Sequence, residues 1–287
     1  MMRKIKWFLG IIFVIGIFVW GVQALQTVMT PAIGVLEIEG SIHDSVGYLK
    51  GIKALEENDQ IKAILVRIDS PGGKVGPSQE IYGSLLKIKG KKPLVVSMGS
   101  VSASGGYYIA CAADTIFALP GTLTGSIGVI LEFLDISEGL EKIGVKSERV
   151  VSGDMKESGS PFKTLTDRER EYFLRLVEDV HEQFVEAVAL SRELPVETVQ
   201  EFADGRVFTG RQAMELGLVD RLGGLEDAIT EVKEKAGIVG KVRFIRPEIS
   251  TGILETIRKA LGVLTPREFG ATARVSGRLI RLEYSID

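Results

Sequence analysis

A serine surrounded by very small residues is the strongest candidate for a reactive side chain in this sequence. Residues 100–110 read SVSASGGYYIA, and Ser104 stands where an apolar strand-like run passes into a helix-like run. A serine on a sharp strand-to-helix turn is lifted above its sheet, close to the free N–H groups of the helix start. The pattern is typical of a nucleophilic serine, and a tight glycine turn with a capping serine explains it equally well.

A nucleophilic serine needs a base, and the chain has only two histidines. His43 falls in an early loop, whereas His181 lies in a predicted helix among charged neighbours, which indicates a solvated face. Neither position suits a Ser-His-Asp triad, so the sequence favours a lysine base. A lysine serves as a base near neutral pH only when burial lowers its pKa. Residue types alone do not single out one lysine.

Two further loops place small residues after strand-like runs. In RIDSPGGKVG, Gly72 and Gly73 leave backbone N–H groups bare, and such groups beside a nucleophile form an oxyanion hole. A simple strand-to-helix turn would use the same residues. In TLTGSIGV, residues 122–129, Ser126 follows Gly125, and an ordinary turn between extended segments is the alternative to a functional role.

These loops depend on elements that alternate between strand and helix patterns. Apolar runs such as KAILVRI and KPLVVSM are typical of buried strands, and the second is expected to end at Met98. Helical patterns separate these runs: Ser45 is the candidate cap of the first helix, and Thr166 or Asp167 is the candidate cap of a long amphipathic helix. Buried strands that alternate with helices predict an α/β fold with a parallel sheet covered on both faces.

The N-terminus contains a strongly apolar segment. Residues 7–22 carry no charge and follow Arg3, Lys4 and Lys6. This length and charge asymmetry predicts a membrane-spanning signal anchor, with the N-terminus in the cytoplasm and the remainder outside the cell membrane. A signal peptide cleaved after Ala24 is the alternative.

Composition narrows the classes of function. The net charge of −3 gives no electrostatic reason to bind nucleic acid. A single cysteine, Cys111, excludes an intramolecular disulfide and a CxxC metal site. We expect a transmembrane anchor in residues 1–27, an extracytoplasmic domain over 28–247, and a C-terminal helix and tail over 248–287.

Five motifs occur in order along the chain: DSPGG (69–73), ASGGYY (103–108), TLTGSIGV (122–129), SGDMKESGSPF (152–162) and DGRVFTGRQAMELGLVDRLGGL (204–225). Together they resemble the signal peptide peptidase A (SppA) family, which are membrane-bound serine proteases with the Clp-protease/crotonase fold. The resemblance covers roughly residues 33–235.

The resemblance implies a Ser/Lys dyad. Ser104 matches the nucleophile, Lys156 in the SGxxK loop matches the base, and Ser126 matches the serine that orients the lysine amine. The oxyanion is expected to rest on backbone N–H groups of Gly105 and of Gly73 or its neighbour Gly72. The implied acyl-transfer reaction requires no metal and no cofactor.

A single-repeat chain of this family is expected to form a homo-oligomer, in which Ser104 of one subunit meets Lys156 of the next. The implied substrates are hydrophobic peptides, such as remnant signal peptides. One alternative is a crotonase-type acyl-CoA hydratase or isomerase on the same fold. Two others are a non-catalytic oligomeric membrane scaffold and a Ser/Lys protease with one specific protein substrate.

Overall fold

A mainly parallel sheet organises residues 30–249, the part of the chain that the computed structural model describes. Its main strand order is β6-β5-β3-β2-β1-β8, and β4 joins β3 to β7. Each pair is parallel except β5 with β6. The strands are β1 Ala32–Glu39, β2 Ile61–Ser70, β3 Leu94–Ala103, β4 Thr115–Ala118, β5 Leu123–Gly125, β6 Val207–Thr209, β7 Arg221–Leu222 and β8 Arg243–Ile245.

Helices cover both faces of this sheet. Along β2, Ile64 and Val66 enter the larger core, while Leu65 faces a smaller core that includes Ala228 and Val232. This alternation follows from the two-residue period of a strand, and it confirms a mixed α/β fold with a sheet between helices. The helices are α1 Val46–Glu57, α2 Val75–Leu86, α3 Gly105–Ala110, α4 Ser137–Lys142, α5 Asp167–Arg192, α6 Val196–Gln200, α7 Gly210–Glu215 and α8 Leu225–Lys235, with a 3-10 helix at Asp154–Glu157.

The strand before the candidate serine is longer than its apolar pattern predicts. β3 continues past Met98 to Ala103, because its last residues pair with β5 as well as with Ser70 of β2. Glycine and serine carry no strand signal, so only the neighbouring strands reveal that this stretch is extended. Ser104 therefore stands directly at a strand end.

Three local expectations change in the folded chain. The Ser45 hydroxyl does not cap α1; it donates a hydrogen bond to the Glu80 carboxylate of α2. The segment at Leu123–Gly125 is a strand rather than a plain turn. His181 does not present a fully solvated imidazole, since its Nε2 atom is buried and has no hydrogen-bond partner within residues 30–249.

No helix within residues 30–249 is long and apolar enough to cross a membrane. The predicted anchor and nearly all of the predicted C-terminal helix and tail lie outside this range. Inter-residue contacts divide the chain after Ile249, and the described residues all belong to the first unit. The predicted domain limits at 28 and 247 stay predictions.

The start of α5 is held by a side-chain network that confirms Thr166 as the cap. The Thr166 hydroxyl accepts the Glu169 N–H at 3.3 Å, and the Glu169 carboxylate accepts the Thr166 N–H at 3.0 Å. Lys163 adds an ion pair to Glu169 at 2.7 Å. The hydrogen bond from Lys163, followed by that from the Thr166 backbone, lowers the pKa of Glu169 to about 2.

Replacing this carboxylate by Glu169→Gln is expected to lower the melting temperature of the full-length chain at pH 7. An unfolded glutamate titrates near pH 4.3, whereas folded Glu169 titrates at about 2. The ionised group therefore stabilises the fold fully above the unfolded pKa, and this stabilisation is lost as the pH falls through the folded pKa. Thermal unfolding of both chains should show their difference closing between about pH 4 and pH 2.

Glu171→Gln is the matched control, because Glu171 lies on the same helix and pairs with Arg175 on an exposed face. It should change the melting temperature less at pH 7. A difference between parent and Glu169→Gln that stays constant from pH 7 to pH 2 would show that the Glu169 charge does not stabilise the helix start.

Candidate active site

Ser104 occupies a strained backbone position between β3 and α3. Its φ is 51° and its ψ is −122°, in a region that residues other than glycine seldom adopt. The strain is held in place on both sides, since the Ser104 N–H donates to Gly125 O at 2.8 Å and Ser104 O accepts from Tyr108 N at 2.9 Å. Strain of this kind collects at functional sites, where the surrounding structure overrides the local preference.

Bare backbone surrounds this serine because three glycines are packed closely against neighbouring segments. A Cβ on Gly72, whose φ is +99°, would lie 2.7 Å from Gly105 N and 2.9 Å from the Ser104 Cβ. A Cβ on Gly73 would lie 2.2 Å from Ile42 O. A Cβ on Gly105 would lie 2.4 Å from the Ser78 Oγ and 3.4 Å from Gly73 N. No larger residue fits at Gly72 or Gly73 without a shift of the backbone, and one at Gly105 would displace the Ser78 side chain.

The N–H groups of these glycines differ in availability. Gly72 N donates to the Ser70 Oγ at 3.1 Å, so this donor is already engaged. Within residues 30–249, Gly73 N and Gly105 N donate no hydrogen bond to protein. Gly73 is exposed, and Gly105 is the first residue of α3, where an N–H has no partner inside the helix. Of the two predicted alternatives, the geometry favours Gly73 over Gly72 as an oxyanion donor.

Ser126 emerges beside Ser104 because the strands that precede them are paired. Ala103 of β3 is in register with Gly125 of β5, so the next residue of each chain segment leaves the sheet at the same edge. Ser126 also has a φ of 51°, and its N–H donates to Arg206 O at 2.9 Å. Two half-buried serines with positive φ thus lie at one edge of the sheet.

A small open cavity lies next to Ser104, and its walls are mainly apolar. No sequence motif marks these walls, although the spacing of Val75 with Gln79 and of Val180 with Phe184 is that of one helix face. Neither histidine lines the cavity. The lining residues are Gly73, Val75, Ser78, Gln79, Ser104, Gly105, Tyr108, Gly128, Val129, Val180 and Phe184.

Tyr108 supplies a phenol on the cavity wall. Burial raises its pKa, and a hydrogen bond with Gln79 partly opposes that shift. The phenol is therefore neutral near pH 7 and is not a base. Its ring packs edge-on against Phe184 at 5.0 Å between centroids, which ties α3 to α5 on the apolar side of the cavity.

Lys156 lies apart from this cavity within the single chain. It sits exposed on the 3-10 helix, whose loop contacts the beginning of α5: Asp154 pairs with Arg168 at 3.7 Å. The cavity contacts the same helix at Val180 and beyond. Arg168 and Val180 are separated by more than three helical turns, roughly 18 Å along the axis. The structure thus brings Ser104, Ser126 and the glycines to one edge of the sheet, whereas Lys156 does not line the cavity beside Ser104.

A strained serine, free N–H groups and an apolar cavity at the edge of an α/β sheet define a candidate serine hydrolase. Comparison with known proteins identifies its family. Residues 87–239, more than half of the chain, match the model of Peptidase family S49. The chain belongs to this family, and it is a serine protease of the SppA kind.

Individual relatives agree with this assignment. A putative protease of Synechocystis is 47% identical over 71% of this chain and 74% of its own length. A chloroplastic serine protease SPPA of Arabidopsis thaliana is 36% identical over 85% of this chain but only 39% of its own length. A putative signal peptide peptidase SppA of Enterococcus faecium is 39% identical over 66% of this chain and 55% of its own length.

The tight contact at Gly73 generates a test of the oxyanion loop. Gly73→Ala would displace the loop, because a Cβ placed on the present backbone of residue 73 would lie only 2.2 Å from Ile42 O. We expect the rate of Ser104 labelling by a fluorophosphonate to fall by roughly 100-fold, the usual effect of losing one oxyanion donor. Labelling rates of the purified chains, followed by gel fluorescence, measure this directly.

Gly76→Ala is the control, because a Cβ at Gly76 meets nothing within 4 Å and the residue lies in the first turn of α2. It should label at the parent rate. Equal labelling of Gly73→Ala and Gly76→Ala would remove the Gly73 loop from the site.

Proposed function

We propose that the protein is a membrane-anchored serine endopeptidase in which Ser104 is the nucleophile and Lys156 the general base. The observation that carries the proposal is that strained Ser104 shares an apolar cavity with Gly73 and Gly105, whose N–H groups donate no hydrogen bond within residues 30–249. The Clp-protease/crotonase fold fits the mixed sheet flanked by helices. Of the functions that the sequence predicts, membership of family S49 favours peptide hydrolysis over acyl-CoA chemistry.

The proposed reaction is acyl transfer. Neutral Lys156 accepts the Ser104 proton while Ser104 Oγ attacks the peptide carbonyl carbon, and the resulting oxyanion accepts hydrogen bonds from Gly73 N and Gly105 N. The lysine then gives its proton to the leaving amine, so that the peptide C–N bond breaks and an acyl-enzyme remains. Water, deprotonated by the same lysine, hydrolyses the ester and regenerates Ser104. Ser126 orients the lysine amine.

Lys156 is proposed to act on Ser104 of a neighbouring copy. The exposed position of Lys156 supports this, because a lysine base needs a partner surface that removes it from water. The segment that carries it, residues 130–162, is called the arm here. Its apolar side chains are unusually open to solvent, with Ile130 82%, Leu134 70% and Ile143 72% exposed. Exposed apolar groups clustered along one segment indicate an interaction surface, here filled by a second copy of the chain.

The proposed substrates are hydrophobic peptides, including remnant signal peptides. The apolar walls formed by Val75, Val129, Val180 and Phe184 suit an apolar side chain next to the scissile bond. The name of the Enterococcus faecium relative, a putative signal peptide peptidase, agrees with this class. Anchoring by the apolar residues 7–22 would hold the domain beside the membrane in which such peptides remain.

A complementation experiment tests the shared dyad. Ser104→Ala and Lys156→Ala should each lower hydrolysis of an apolar fluorogenic peptide by roughly 1000-fold or more. Co-expressed with different affinity tags and purified through both, the two variants should regain activity. Random mixing in a ring of many subunits predicts about a quarter of the parent rate, because half of the sites keep Ser104 and half of those meet an intact Lys156.

Lys50→Ala, a change of an exposed lysine outside the arm, is the control and should keep the parent rate. Doubly tagged oligomers without activity would place the dyad within one chain. Full activity of Lys156→Ala would refute the base assignment. A parent chain that neither cleaves peptides nor labels at Ser104 would favour the scaffold reading.

The cavity generates a separate prediction for substrate binding. Val75 is the first residue of α2 and lines the cavity, so Val75→Asp places a charge where an apolar substrate group is proposed to bind. We expect kcat/KM for peptides with leucine at the cleavage site to fall about tenfold or more. Ser104 labelling by a small fluorophosphonate should change little, since that reagent does not fill the cavity.

Val46→Asp is the matched control, because Val46 is likewise an exposed first residue of a helix and lies outside the cavity. Equal peptide kinetics for the two aspartate variants would show that the cavity does not bind the substrate side chain.

A further inference from the structure

The ladder between β2 and β3 is interrupted just before the candidate nucleophile. Ile68 pairs with Met98, but the next pair is Ser70 with Ser102. Asp69 of β2 therefore stands opposite residues 99–101 of β3, so that β3 has an excess of two residues. Because side chains alternate with a period of two, this excess leaves Ser102 on the same face as Met98. The bulge lengthens β3 toward Ser104 without turning its side chains over.

The bulge loses ladder hydrogen bonds, and side chains replace them. The Asp69 Oδ1 accepts Val101 N–H at 3.1 Å. On the other side, the Thr122 Oγ1 donates to Gly99 O at 2.7 Å. A backbone group without a partner would leave the bulge free to change shape. These two side chains therefore fix the course of β3 only a few residues before Ser104.

Asp69 also packs directly on bare backbone. A Cβ on Gly99 would lie 2.7 Å from the Asp69 Cγ and 2.8 Å from the Asp69 Cβ. The absence of a side chain at Gly99 lets a short carboxylate reach across the bulge to Val101. This contact therefore requires an acidic side chain as short as that of Asp69 and a glycine at position 99.

The same residue begins the loop that carries the oxyanion donor. Asp69 O accepts Gly40 N at 3.0 Å, and the following Ser70 Oγ donates to Gly40 O at 2.6 Å. That hydroxyl in turn accepts Gly72 N at 3.1 Å. The backbone of Asp69 is thus anchored to β1 and leads to Gly73, while its side chain holds the strand that leads to Ser104.

We propose that Asp69 is a positioning residue, whose carboxylate sets the placement of Ser104 relative to the Gly73 N–H. The inference rests on the proposed function, in which Ser104 attacks and Gly73 stabilises the oxyanion. Asp69 touches neither the substrate nor Ser104 in this role; it acts through Val101. Its side chain is exposed, so its removal affects the geometry of the site more than the stability of the core.

Asp69→Ala tests the proposal in the full-length chain. We expect kcat and the rate of Ser104 labelling to fall roughly 10- to 100-fold, because displacement of about 1 Å has effects of this size. KM and the melting temperature should change little. Asp69→Asn keeps an oxygen acceptor of the same length and should restore the kcat to within about threefold of the parent.

Asp59→Ala is the control, since Asp59 is an exposed aspartate near the opposite end of β2 whose carboxylate accepts no hydrogen bond within residues 30–249. Kinetics are expressed per folded chain, measured by circular dichroism. Parent-like kcat in Asp69→Ala would overturn the proposal, as would a loss that merely follows the unfolded fraction or that Asp69→Asn does not restore. Failure of the proposed function is distinct, because the parent itself would then not label at Ser104.

Discussion

Direct packing of backbone on backbone is the constraint on which the candidate site depends. Gly72, Gly73 and Gly105 bring three chain segments so close that a Cβ at any of them would lie less than 3 Å from another atom. Only this approach leaves N–H groups beside Ser104 with no side chain in the way. The cost is conformational, because glycine loses more freedom on folding than other residues. The buried sheet beneath offsets it, since β1, β2 and β3 place fully buried aliphatic side chains on both faces.

Strain at the two serines has the same origin. Ser104 and Ser126 both have a φ of 51°, and both follow strands that pair at their ends. Each is held by a hydrogen bond from its own N–H, to Gly125 O and to Arg206 O respectively. The sheet thus imposes a backbone conformation that neither serine would adopt alone. This places two hydroxyl groups at one edge, where we propose that an amine from a neighbouring chain arrives.

Lys156 is exposed and does not line the cavity beside Ser104. One chain holds Ser104, the N–H groups of Gly73 and Gly105 and the apolar cavity, while Lys156 and the apolar side chains of the arm are exposed to solvent. A charged amine cannot lose its hydration without a partner surface. If assembly supplies that surface, as we propose, the base is activated only in the oligomer. The apolar side chains of the arm, which are exposed in one chain, would then be covered by a neighbouring chain.

Sequence alone determined the alternating α/β pattern, limited the cap of α5 to Thr166 or Asp167 and singled out the small residues around Ser104, because periodicity and local turn chemistry act over a few neighbours. It did not reveal that β3 extends to Ala103 or that Ser70 already engages the Gly72 N–H. It also predicted Ser45 as a helix cap, whereas the Ser45 hydroxyl donates to Glu80. Those outcomes were decided by tertiary structure. Hydrogen bonds and close approaches between distant segments depend on which strands become neighbours, and no short-range pattern of residues encodes that choice.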